Sequence, residues 1–155
     1  MNKRGFTLVE LLAVMAIIAI ISVIAVPNVV GVMDNNKKNK MLSDASEVIA
    51  LAKYKVARDA NFRDNLTTNP VTLYLSTIDT KEDIVKDAHG GSYDRDRSYV
   101  NVSKTAEGVI TYCVYLRGSV YSVGHEAECI EESLINSSSP KDYVNDDESW
   151  LSNWH

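Results

Sequence analysis

The sequence has no phosphate-binding glycine loop, no nucleophile-and-base arrangement and no metalloprotease spacing, so nothing in it specifies catalysis. It also lacks a basic field. With 16 Lys and Arg against 21 Asp and Glu, the formal net charge is -5, which excludes the electrostatic footprint of a nucleic-acid-binding protein. Histidine is scarce: the three present, His89, His125 and His155, are scattered over expected loops and the end of the chain, where idle surface histidines are the rule. Cysteine is limited to two residues. At 155 residues the chain suffices for one compact domain plus an extension, and is too short for two ordinary domains.

Apolar residues are piled up at the start. From Phe6 to Met33 only Thr7, Glu10, Ser22 and the Pro27-Asn28 step interrupt them, with Gly31 as a weak helix former. A helix of roughly 28 residues at about 1.5 Å rise is ample for a hydrocarbon core of about 30 Å, so this segment is a membrane-helix candidate. A secretory signal peptide would have a shorter apolar region. Positive charges do not orient the helix, because Lys3 and Arg4 precede it and Lys37, Lys38 and Lys40 follow it. Glu10 stands out, since an ionisable group inside an apolar helix costs about 2.5 to 3.5 kcal/mol. It needs a partner or an interfacial position.

The run Lys3-Arg4-Gly5-Phe6-Thr7-Leu8-Val9-Glu10, followed at once by the apolar stretch, resembles the prepilin signature of type IV pilins and type II secretion pseudopilins. Close local resemblance covers about the first quarter of the chain. It implies a leader of residues 1–5, cut by a membrane-embedded prepilin peptidase between Gly5 and Phe6, and methylation of the new Phe6 amine. Glycine before the cut offers the protease an unobstructed, extended backbone. The resemblance further implies that the Phe6 ammonium of one subunit meets the Glu10 carboxylate of its neighbour in a filament core. Pro27 removes a helical hydrogen bond and crowds the preceding turn, so a kink or locally melted stretch is expected there; related pilins are similar in carrying a proline near this position, around which the helix loosens in the filament.

Beyond Met33, apolar residues recur at Met41, Ala45, Val48, Ala52 and Val56 as one helical stripe. The spacing predicts one continuous helix to about Phe62, amphipathic in its second half. Asn65, Thr67, Thr68, Asn69 and Pro70 end the helical region. Runs rich in β-branched and aromatic residues predict strands over Ser98–Ser103, Val109–Leu116 and Val120–Gly124. The segments Thr105–Gly108 and Arg117–Ser119 read as hairpin turns. Val71–Leu75 is a short apolar run, Ile84-Val85 suggests a brief helix, and His89–Tyr93 reads as loop. The expected fold class is therefore α+β: a long N-terminal helix, membrane-spanning in its first half and amphipathic in its second, packed on a small antiparallel sheet. This layout resembles the pilin head, with a leader at 1–5, a transmembrane or filament-core helix at 6–33 and a head at 34–155.

Charge is unevenly spread. Lys37–Arg63 holds seven basic and three acidic residues, whereas Glu126–His155 holds eight acidic residues against Lys141. Two solvated faces would account for this, and so would complementarity between neighbouring copies in an assembly.

In an exported domain of this kind, Cys113 and Cys129 suit a disulfide, although pairing does not follow from sequence and two buried thiols are the alternative. Zinc held by both cysteines and His125 would lack a fourth ligand. Asp142, Asp146, Asp147 and Glu148 offer oxygens for calcium, but in the wrong order for an EF-hand, and they read as a solvated acidic tail anchored by Trp150, Leu151 and Trp154. No metal or cofactor is expected.

The resulting expectation is a structural subunit, a major pilin stored in the inner or cytoplasmic membrane and assembled into an extracellular pilus. Its partners would be other copies, other pilins and the prepilin peptidase/methylase, with no specific nucleic acid. A minor pilin, a pseudopilin of a secretion or DNA-uptake machine and a membrane-tethered ligand-binding domain are the alternatives.

Overall fold

The computed structural model describes residues 7–136 and 143–146, with the side chains of residues 24–28 and of Asp146 outside the description. The chain divides into two units, Met1–Asn36 and Lys37–His155, and helix α1 (Leu8–Arg58) contributes to both.

In the first unit α1 carries an almost unbroken apolar surface. Among the described residues, no helix is long and apolar enough to cross a membrane. The described apolar side chains run from Leu8 to Val23, about 24 Å of helix against a core of about 30 Å, and resume from Val29 to Met33. The expected span reaches further, through Pro27 to Met33, and takes in the side chains of residues 24–28. The helix itself runs through Pro27 without a break in the single chain.

In the second unit the α1 stripe becomes a core face. Met41, Leu42, Ala45, Val48, Ile49, Ala52 and Val56 are all buried. They share one hydrophobic core with Leu73, Val100, Val102, Val114, Leu116, Val123, Ile130, Ile135 and Val144. Burying each branched side chain contributes about 1.5 to 3 kcal/mol. Off the stripe, Lys40, Glu47 and Lys53 stay in solvent, as the helical period requires.

The helix stops sooner than the spacing predicts. Asp59 adopts φ -106°, ψ 93° and accepts the Phe62 N–H, capping a separate helix α2 (Ala60–Asp64). Aspartate is favoured at such a cap because its short carboxylate reaches an otherwise unpaired N–H. A helix predicted to run to Phe62 is therefore two helices with a corner at Asp59.

The sheet is antiparallel in every pairing and larger than the three predicted strands. Its order is β1 (Val71–Tyr74), β2 (Tyr99–Lys104), β3 (Ile110–Arg117), β4 (Tyr121–Val123) and β6 (Val144–Asp146), while β5 (Ile130–Glu131) pairs with β3 alongside this path. Single-turn helices α3 (Leu75–Ile78) and α4 (Glu132–Ile135) follow β1 and β5 directly. Val100 faces Leu73 on one side and Val114 on the other, which places three core residues in one row across the sheet. The predicted β2–β3 turn forms: the Thr105 N–H donates to the Val109 carbonyl at 2.8 Å, and Gly108 takes φ 87°, a left-handed conformation that glycine adopts freely.

The brief helix expected at Ile84-Val85 is absent. The Ile84 N–H donates to the Asp79 carboxylate at 3.0 Å and the Val85 carbonyl accepts from the Tyr93 N–H at 3.0 Å, so side-chain and cross-loop partners replace the helical ones. His89 is half-buried rather than idle at the surface. Its ring meets the Tyr121 ring edge-on at 4.7 Å, and its Nδ1 is buried without a hydrogen-bond partner among the described residues.

Candidate assembly site

Helix α1 begins with a reciprocal cap. The backbone N–H and hydroxyl of Thr7 donate to Glu10 Oε2 at 2.8 and 2.9 Å, and the Glu10 N–H donates back to Thr7 Oγ1 at 3.3 Å. Threonine followed three residues later by glutamate is the capping-box pattern, in which two unpaired amide groups of the first turn are satisfied together. The signal was present in Thr7-Leu8-Val9-Glu10, although reading Glu10 only as a charge in an apolar helix passes over it. Glu10 thus has a local role in the isolated chain, and both donors from Thr7 fall on a single carboxylate oxygen.

Around this cap the helix surface is bare. Leu8, Val9, Leu11, Leu12, Val14, Met15, Ile17, Ile18, Ile20, Ile21 and Val23 are between 46% and 77% exposed. Ser22, the polar interruption, returns its hydroxyl to the Ile18 carbonyl at 2.8 Å, so it presents no unpaired donor to an apolar environment. A helix apolar all round is stable only in lipid or among other apolar helices. Gly5 and Phe6, the expected cleavage and methylation positions, lie outside the described residues.

The second unit is tied together by the disulfide that the sequence suited and by buried aspartates that it did not advertise. Cys113 and Cys129 are joined, with Cα atoms 5.4 Å apart, next to the Cys113–Glu131 pair that binds β5 to β3. With both sulfurs so used, they cannot serve as thiolate ligands beside His125. Asp87 is buried and accepts the backbone N–H groups of His89, Gly91 and Ser119. Burial pushes its carboxyl up, but these hydrogen bonds outweigh that and hold it below the usual carboxylate range. Asp79, also buried, accepts from Asp83 N–H, Ile84 N–H and the Arg95 guanidinium, and for the same reasons its carboxyl is lowered. Tyr93 donates to Asp44 Oδ2 at 2.6 Å, and burial together with that carboxylate pushes the phenol far above its ordinary value. These contacts fasten irregular chain to α1 and to the β3–β4 turn. They build a scaffold around the sheet. Among the described residues no group of three His, Cys, Asp or Glu side chains is placed to hold a metal ion. Of the acidic calcium candidates only Asp146 is among the described residues.

Residues 1–26 match the family model of the prokaryotic N-terminal methylation motif, the type IV prepilin signature. The match supports a type IV pilin-like or pseudopilin protein, a structural and non-enzymatic class, and implies processing by a prepilin peptidase. No curated protein and no solved structure matches the chain.

Proposed function

We propose that this chain is the major structural subunit of an extracellular type IV pilus, stored in the membrane through its apolar helix and assembled after cleavage between Gly5 and Phe6. The observation that carries this reading is the conjunction, within residues 1–26, of the methylation motif with an exposed apolar helix surface from Leu8 to Val23 that includes Glu10. Such a surface demands lipid before assembly and neighbouring helices after it.

In the filament, the Phe6 amine stays cationic when methylated and pairs with Glu10 of an adjacent copy. Each copy offers both halves of the pair, four residues apart in sequence, so a staggered array satisfies every copy and propagates as a helix. Pairing also removes the cost of leaving either charge alone among apolar neighbours. The head contributes a cross-linked solvent-facing body.

The test is mass analysis of surface filaments together with immunogold labelling by antibody to the head. Subunits that begin at a methylated Phe6 and label along whole fibres are expected. Filaments retaining residues 1–5 would overturn the processing, and labelling confined to rare sites would assign the major subunit to another protein.

A further inference from the structure

We infer that the acidic C-terminal segment of one copy docks into a basic groove at the end of α1 of the next copy. The groove, with a volume of ≈ 530 Å³, lies in the head between the last turns of α1 and α3. Leu51 and Ile78 give it an apolar floor, Tyr54 an aromatic rim, and Lys55 and Arg58 its cations. Arg58 is set in place by Tyr54: its guanidinium lies 5.5 Å from the ring centroid and donates to the phenol oxygen at 3.0 Å. Asp59 also lines the groove, but its carboxylate is engaged by the Phe62 N–H. With Lys55 and Arg58 against Asp59 the groove keeps a net positive charge over an apolar surface, the complement of a peptide with carboxylates beside large apolar side chains.

One segment of this chain has that composition. After Asp146, the last described residue, come Asp147, Glu148, Trp150, Leu151 and Trp154. Tryptophan anchors seated on an apolar floor carry a disproportionate share of contact energy.

The topology decides whose segment it is. Asp146 pairs with Tyr121 at the β6 edge of the sheet, whereas Ile78 follows β1, at the opposite edge. Four strand spacings separate the two edges, about 19 Å. Glu148 lies two residues past Asp146 and can be displaced from it by only about 7 Å. Only with backbone and side chains fully extended across the sheet would the carboxylates of a chain approach its own Lys55 and Arg58, so the occupant assigned to the groove is the segment of a second copy. Donor and acceptor surfaces on opposite edges make a head-to-tail contact that repeats instead of closing on itself.

This contact deepens the filament reading and rests on it for its setting, so the test separates the two. Full-length chain in detergent, prepared as a mixture of isotopically light and heavy copies, carries a photo-reactive aromatic residue in place of Trp150. Light–heavy adducts mapping to residues 51–61 are expected. Lys55→Glu with Arg58→Glu should reduce them by about tenfold, the loss of roughly two exposed ion pairs. Mixing that variant with a copy carrying Asp147→Lys and Glu148→Lys should restore them, which also shows that the reversed groove is folded. Adducts within one copy, adducts elsewhere, no adducts, or adducts indifferent to these charges would overturn the contact. Filament yield is counted separately: normal filaments without the adduct would remove the contact and leave the filament reading, and adducts without any filaments would do the reverse.

Discussion

Asp87 accepts the backbone N–H of Ser119 across 32 residues of sequence, and the same carboxylate accepts from His89 and Gly91 at 2.8 and 2.9 Å. One side chain thus pins a loop to the β3–β4 turn. The fit leaves no slack, because a Cβ on Gly118 would stand 2.9 Å from the Tyr121 carbonyl oxygen.

Stability should therefore fall in acid. Asp79 and Asp87 both have carboxyls held below the usual range in the folded head, so the folded state binds fewer protons than the unfolded chain. Their contribution is complete above the unfolded value of about 3.9 and is lost as pH drops through the lower folded values. Thermal unfolding of the protein should show a level Tm down to about pH 5 and a decline below about pH 4. Asp87→Ala, which leaves three amide groups without their acceptor, should cost about 2 to 3 kcal/mol at neutral pH and flatten the acid decline.

Glu10 combines a helix cap with a proposed assembly charge, and glutamine separates the two. Glutamine can close a capping box but carries no charge, so Glu10→Gln should keep the N-terminus of α1 ordered and still form few filaments. Glu10→Ala should be made, inserted and cleaved with the same failure, while Glu10→Asp, with its shorter reach, should be intermediate. Loss of one partner from a buried pair costs about 3 to 5 kcal/mol per subunit. Filament yield by shearing and blotting reads the outcome, and normal yield from Glu10→Gln would reduce the residue to its cap.

Thr7→Ala is the complementary change. It removes the hydroxyl that both donates to and accepts from Glu10, at a cost of about 1 kcal/mol to the helix end, and keeps the carboxylate. Filaments should form near normal yield, with faster amide exchange confined to the first turn of α1.

Pro27→Ala should leave the head folded and change filament stiffness or yield, because the replacement restores an amide hydrogen-bond donor in the middle of α1. Unchanged bending of single filaments would make Pro27 a tolerated residue and nothing more.

What could be read from the sequence was whatever repeats. The stripe from Met41 to Val56 recurs at helical spacing and is the buried face of α1, and the β-branched and aromatic runs on either side of Gly108 form the β2–β3 hairpin. The corner at Asp59 was hidden because the apolar period continues across it while the backbone does not. Strands β5 and β6 span two and three residues, too few to show a period of two. They exist because β3 and β4 offer them edges, a tertiary cause with no local signature. Asp79 and Asp87 were illegible for a related reason: a buried aspartate and a surface one are the same letter until the amides that surround it are known. At the candidate assembly site, the Glu10 position was legible and its Thr7 partner was legible in principle, but the two were read separately.

The bond between Cys113 and Cys129 closes a loop whose outermost residues, His125 to Glu128, are exposed. An extracellular protease that cuts there leaves both ends attached. Everything beyond the cut stays covalently joined to β3, and β5 keeps its place beside Val114. A nicked subunit would run as one species without reductant and as two with it. Damage at this exposed loop would thus not shed the C-terminal segment from the subunit.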